Sequence, residues 1–277
     1  MKTFKKISIV VLSLMTAACS SDIASEQPSE SLQGKGIPFT ATISMKGSTT
    51  RSAMTENGST ISAVWETGDE LALVYEVSGQ KKVTKATMTV RDDKSATITA
   101  TIAEGVTTGT AVKLLYPYSA VSDNAEDTSY GAMKRDALGG QDGTLESIAK
   151  QFDLCQGDGN FTVPSEGKAS LKADVTMASQ IAIWKLSLTD GTNAIKATQV
   201  NIDKGKDEQM AMVMPKEGTF SEFYVAVPAV SNGTIYISAA TTSEGNYTYT
   251  KPDVTLEAGK YYQSTVTMVQ AVSIHSE

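Results

Sequence analysis

The sequence predicts an all-β fold arranged as two β-sandwiches in tandem, and three observations carry that prediction. Short apolar runs alternate with period two, as Phe39, Ala41 and Ile43 do against Thr40 and Thr42. Turn residues interrupt such runs at the roughly ten-residue spacing of antiparallel strands. Aromatics make up only 6% of the chain, while Thr, Val, Ile and Ser are plentiful and Gly recurs, a composition that suits strands and turns. For 277 residues, two sandwiches fit better than one.

The chain opens with three lysines (Lys2, Lys5, Lys6), an apolar centre from Ile7 to Met15 and the small residues Thr16-Ala17-Ala18. Residues 1–18 therefore read as a secretory signal peptide, too short for a membrane span. Cys19, directly after the small residues, looks like the acylation site of a bacterial lipoprotein. Thr16 departs from that pattern, where a bulky aliphatic residue is usual, and a plain cleavable signal is the alternative. Acyl chains on Cys19 would anchor the protein to the outer membrane. Residues 19–36 are polar and Ser/Glu-rich and read as a flexible tether.

The first sandwich is expected over residues 37–168. Its strands are Ile37–Met45, Leu71–Val77, Lys82–Val90, Ser95–Ile102 and Ala111–Pro117, with Pro117 ending ladder pairing. Between the first two lie the small-residue loop Gly47–Ala53 and the run Val64-Trp65-Glu66-Thr67-Gly68-Asp69, with Trp65 a core anchor and Gly68-Asp69 a turn. Ser119–Gly143 has little pattern, and Leu145–Lys150 is expected to form helical turns capped by Thr144. Gly157–Asn160 and Pro164–Gly167 read as turns. The second sandwich is expected over 169–277, with strands Leu171–Met177, Ile181–Leu188, Lys196–Asp203, Gln209–Met214, Phe220–Val227, Thr234–Thr241, Tyr247–Tyr249 and Lys260–Val269.

Composition also narrows the function classes. The formal charge is −7, and removing a leader that holds three of the 24 basic residues leaves 21 against 31 acidic ones, a net of −10. An acidic chain without a basic stripe is not built for nucleic acid. His275 is the one histidine and sits near the end of the sequence, so no histidine-based triad or zinc site is expected; no phosphate loop appears either. No metal or cofactor is expected, and no catalysis. Gln141-Asp142-Gly143-Thr144 lacks the alternating acidic ligands of a calcium loop. Cys155 reads as a small buried thiol.

Several segments together resemble the fimbrillin family of Bacteroides-type bacteria, the major and accessory subunits of lipoprotein-derived pili. They are Phe39-Thr40-Ala41, Thr49-Thr50-Arg51, Trp65-Glu66-Thr67-Gly68-Asp69, Leu115-Tyr116-Pro117-Tyr118, Gln141-Asp142-Gly143-Thr144, Tyr224-Val225-Ala226-Val227-Pro228 and Leu256-Glu257-Ala258-Gly259-Lys260-Tyr261-Tyr262. The resemblance implies two transthyretin-like sandwich domains, export as a lipoprotein, and cleavage by an arginine-specific protease in the loop after the first strand. Arg51 is the matching arginine, so the cut would fall before Ser52. The strand carrying Phe39, Ala41 and Ile43 is then an expendable edge strand. Its loss leaves an open ladder and a groove that a strand from a neighbouring fimbrial subunit fills. The family donates C-terminal strands, which makes Val266, Met268, Val272 and Ile274 the candidate donor. The tail shows no obvious hinge, so a stalk subunit and a tip or accessory subunit are both compatible with it. The other reading is a non-polymerising surface lipoprotein that binds glycans or host proteins, with Tyr247, Tyr249, Tyr261 and Tyr262 as a sugar-stacking face. Such tyrosines are more often cross-strand packing.

Overall fold

The structure, a computed structural model, describes residues 36–45, 53–92, 94–121, 138–205, 208–242 and 245–271. It is all-β, with strands β1 (Ile37–Met45), β2 (Ala53–Asn57), β3 (Thr60–Val64), β4 (Glu70–Val77), β5 (Gln80–Asp92), β6 (Ser95–Ile102), β7 (Ala111–Tyr116), β8 (Cys155–Thr162), β9 (Ser170–Leu171) and β10 (Val175–Ser179) in the first part. There follow β11 (Ile181–Thr189), β12 (Ala197–Lys204), β13 (Glu208–Val213), β14 (Glu222–Pro228), β15 (Val230–Thr241), β16 (Asn246–Leu256), β17 (Tyr261–Thr267) and β18 (Val269–Gln270).

One sheet has the order β10-β1-β6-β5-β4-β7-β8-β9, and β10 also pairs with β8, so its two ends meet. Its interior is an apolar core that includes Phe39, Ile43, Leu73, Met88, Ile98 and Phe161. A second core fills the space between the sheets β14-β11-β17 and β13-β12-β15-β16-β18, with Trp184, Leu186, Val200, Ile237, Val225 and Val266 among its members. A third cluster joins the outer face of the first sheet to the three-stranded one. This explains the unbroken apolar run of β4. Leu71, Leu73 and Tyr75 face the first core, while Ala72 and Val74 face the third cluster.

Three expectations are corrected. The strand expected in the second half around Leu171–Met177 belongs to the first sheet, where it bridges β8 and β1, so the chain changes sheets at Gln180 and not at 168/169. The turn expected at Gly157–Asn160 is the interior of β8. Glycine is needed there because the crossing segment passes so close: a Cβ on Gly157 would lie 2.5 Å from Val175 Cγ1 and 2.9 Å from Met177 Sδ. The single last strand expected over Lys260–Val269 is two strands on different sheets. β17 runs parallel to β11, and after Met268, whose N–H donates to Thr189 O (2.8 Å), β18 pairs with β16.

The motif at Gln141 has a structural task. Thr144 caps the helical turns Leu145–Ser147 and Ile148–Phe152 by accepting from Ser147 N–H (3.1 Å), as its residue type predicts. Gln141 is fully buried and fastens the edges of both sheets around the second core. Its backbone N–H donates to Met212 O (3.1 Å) and its carbonyl accepts from Met214 N–H (2.8 Å) beside β13. Its side-chain amide copies a peptide group for β14, donating to Ala226 O (2.8 Å) and accepting from Ala226 N–H (2.7 Å), and it also donates to Leu138 O (2.9 Å).

Candidate functional site

The candidate site is β1 and its surroundings. The alternating pattern of the strand sends Phe39, Ile43 and Met45 into the first core, and Ala41 packs half-buried against it. The Phe39 ring meets Phe161 edge-on, with centroids 5.5 Å apart at 88°, and Phe161 meets Tyr75 in the same way at 5.2 Å and 86°. The Tyr75 hydroxyl bonds to Thr84 Oγ1 (2.9 Å) and accepts from Ala103 N–H (2.8 Å), which fixes the far end of this aromatic chain.

β1 is not the edge strand that the sequence led us to expect. β6 pairs with it antiparallel from Ile37↔Ile102 to Ser44↔Ser95. On its other side Thr40 N–H donates to Ala169 O (2.9 Å) and Ala169 N–H to Pro38 O (2.8 Å), and from Ile43↔Val175 onward β10 pairs in parallel. The reason is the long-range return of residues 169–179, which covers an edge that local patterning leaves open. The return is incomplete. Between the Phe39↔Ala169 bridge and the Ile43↔Val175 pair, Thr40–Thr42 face the longer segment 170–174, and a cleft of about 390 Å³ remains there.

Arg51 and Ser52 lie outside the described residues, as do Cys19, Val272 and Ile274. Immediately after them the chain forms the hairpin β2–β3, which pairs with no other strand among the described residues. Sequence reasoning passed over this hairpin. Its signal was the Asn57-Gly58 pair, with Gly58 at φ 62° in the two-residue connection. Ile61 anchors the hairpin in the third cluster, Met54 packs against the same cluster, and Trp65 enters the first core just beyond it.

Glu56 fastens the hairpin to the three-stranded sheet. Its carboxylate accepts from Lys185 Nζ (3.1 Å), from the hydroxyls of Tyr224 and Tyr261, and from Gln263 Nε2 (2.8 Å). Gln263 Nε2 also donates to Gly58 O (2.8 Å). The hydrogen bonds from Tyr224 and Tyr261, aided by Lys185 and opposed by burial, hold the Glu56 carboxyl down to about 2 from an ordinary 4.5. The bond to Glu56 raises Lys185, and burial together with Glu56 raises both phenols.

A carboxyl depressed on folding contributes stability that is fully present above its unfolded value and is lost as pH falls through its folded value. The Glu56 contribution should therefore fade between about pH 5 and pH 2. Glu56→Gln should lower stability at pH 7 by about 2 kcal/mol, the scale of hydrogen bonds to a charged group, and flatten the acid limb of the stability profile. Urea unfolding at several pH values checks both. An unchanged acid limb would show that the cluster does not govern it.

Of the candidate donor residues, Val266 and Met268 are buried in the second core; the next residues, Val269 and Gln270, are exposed. The four tyrosines do not form an exposed aromatic face. Tyr247 is buried, Tyr249 and Tyr262 pack against the second core, and Tyr261 is bonded to Glu56. The Trp65–Asp69 motif is turn chemistry, as expected. Asp69 Oδ2 accepts from Glu66 N–H (2.9 Å), and Thr67 Oγ1 accepts from Val90 N–H (3.1 Å). Cys155 is buried and donates to Asp153 O (3.3 Å). Among the described residues no cluster of His, Cys, Asp and Glu could hold a metal ion.

No family model matches the chain, and no curated protein matches it. Solved structures similar to it include a fimbrial protein from Bacteroides ovatus, at 14% identity over 84% of this chain with a TM-score of 0.41. This chain spans about half of that protein, 48%. Also similar are two candidate cell adhesion proteins. The one from Bacteroides uniformis has 15% identity, coverage of 86% and 93% of the two chains, and a TM-score of 0.41. The one from Bacteroides ovatus has 14% identity, coverage of 86% and 96%, and a TM-score of 0.44.

Proposed function

We propose that this chain is a subunit of a cell-surface fimbria, anchored in the outer membrane through acylated Cys19 and assembled by strand exchange after an arginine-specific protease cuts between Arg51 and Ser52. The observation that carries the reading is the standing of β1. It is a full member of the first sheet and supplies Phe39 and Ile43 to its core, yet its covalent tie to every other described strand runs through residues 46–52 alone. One cut there turns β1 into a bound peptide. Its loss would take three buried side chains, Phe39, Ile43 and Met45, out of the first core, each worth roughly 1.5–3 kcal/mol. It would also leave the facing edges of β6 and β10 unpaired, and a strand from a neighbouring subunit restores both.

In this reading the closed eight-stranded sheet is the first of two transthyretin-like sandwiches, and the paired three- and five-stranded sheets are the second, with the boundary near Gln180. The donor side is restricted. Val266 and Met268 hold the second core together, so giving them to a neighbour would open the donor's own sandwich. That favours a tip or accessory subunit, or a donor that begins beyond Met268. Adhesion then follows from position on a surface fibre, with other fimbrial subunits as the partners.

Treating the purified protein with an arginine-specific protease tests this. The expected result is a new N-terminus at Ser52 by mass spectrometry, together with SDS-resistant multimers or capping of a partner subunit. Protein from the bacterial surface with Phe39 still joined to the rest of the chain, and no fibre, would overturn it.

A further inference from the structure

A second cleft, of about 300 Å³, opens where the loop from β13 to β14 meets the turn after Gln141. That volume is at the lower end of the range for small-ligand sites. Phe220 and Pro215 form its half-buried apolar wall, and the Phe220 ring packs on buried Phe223 with centroids 4.6 Å apart. Gly143 lets the turn lie against this pair, since a Cβ there would stand 3.0 Å from Phe223 Cβ. The Gly143 carbonyl accepts from Tyr224 N–H (2.9 Å), which ties the turn to β14. Asp142 is thereby fixed beside the aromatic wall, with its side chain only 9% exposed.

The two oxygens of this carboxylate are used differently. Oδ1 accepts from both the Thr144 N–H (3.0 Å) and the Thr144 hydroxyl (2.7 Å). Oδ2 meets the Lys216 ammonium at 3.0 Å, on a side chain that is 81% exposed. An ion pair with one arm so exposed contributes little, because solvent and side-chain entropy compete with it. Lys216 is therefore a replaceable occupant. The lining favours another cation in its place, since Asp142, Glu217 and Glu222 stand there against Lys216 alone. Lys185 offsets one of the three from outside the cleft, at 3.2 Å from Glu222. A guanidinium binds a carboxylate best through two parallel N–H bonds, and here Oδ1 is already committed to Thr144. An ammonium is a point charge that needs Oδ2 alone, and its methylene stem can lie along Phe220 and Pro215. We infer that this cleft is a binding site for a primary alkylammonium group. Asp142 is its anchoring anion, Phe220 and Pro215 are the wall for the methylene chain, and Lys216 is the internal occupant that the ligand displaces. A lysine side chain on a partner protein and a free linear diamine share that chemistry. The site is independent of β1 and of any exchange there.

The test is a calorimetric titration of the full chain with N-acetyl-lysine methylamide and with cadaverine, and with N-acetyl-arginine methylamide for comparison. The expected result is saturable binding of an amine and weaker binding of the arginine compound. Lys216→Met vacates Oδ2 and should strengthen amine binding roughly tenfold, because apparent affinity scales with the fraction of sites that are open. A gain of this kind cannot come from a folding defect. Adding Asp142→Asn to Lys216→Met should weaken binding by roughly tenfold or more, the scale of a hydrogen bond to a charged group, and matched melting temperatures confirm the fold. Tighter binding of N-acetyl-lysine methylamide assigns the site to protein-borne lysine and tighter binding of cadaverine to a free diamine, and either order supports it. No saturable amine binding to the Lys216→Met chain, an arginine compound bound as tightly as the amines, or an affinity unmoved by Asp142→Asn would overturn the inference and leave the assembly reading standing.

Discussion

Phe39→Ala should destabilise the intact chain by about 3–5 kcal/mol, the usual cost of truncating a buried phenylalanine to alanine. The ring is buried, and it contributes the edge-on contact with Phe161 as well as area removed from water. An aromatic pair in that geometry adds about 0.5–1.5 kcal/mol beyond burial. Thr40→Ala, one residue along on the opposite face, should stay within about 0.5 kcal/mol of the parent chain. Urea unfolding of the two variants separates these outcomes. Equal losses would mean that the inner face of β1 carries none of the burial that the proposed exchange depends on.

Gln141→Ala should cost about 3 kcal/mol or more, although it removes a side chain from a turn. Without the amide, Ala226 N–H and Ala226 O lose the group that mimics a neighbouring strand, and Leu138 O loses a donor. Each buried polar group left unsatisfied costs about 1–3 kcal/mol. Asp142→Asn, beside it but reaching Thr144 and Lys216, should change stability far less. Denaturant midpoints for the pair decide the matter. A Gln141→Ala protein as stable as Asp142→Asn would show that water satisfies the β14 edge equally well.

The parts of this architecture that local pattern encodes were legible. Phe39 and Ile43 announce their face through alternation, Thr144 through its capping chemistry, and Trp65–Asp69 through turn residues. What stayed hidden depends on residues far apart in sequence. No window around Thr40 reveals that residues 169–179 return beside it. Gly157 and Gly159 look like a turn because the reason for them, the passage of Val175 and Met177 overhead, lies in another segment. The Glu56 cluster draws Lys185, Tyr224, Tyr261 and Gln263 from three strands, and Glu56 itself sits in the hairpin that sequence reasoning passed over. Gln141 stood out only within the turn segment Gln141–Thr144, and its role stayed hidden because the backbone that its amide pairs with, at Ala226, lies far away in sequence.

The passage of the chain from β17 to β18 has a consequence for the order in which the molecule can be completed. The three-stranded sheet receives its outer strand, and the second core receives Val266 and Met268, only from residues that follow every other described strand except β18. During synthesis the first barrel-like half can close once Ser179 has emerged, whereas the second waits for nearly ninety further residues. A premature stop between Gln180 and Tyr261 would thus leave the first core complete and the late half unsealed. Proteases should find such truncated chains through that half first.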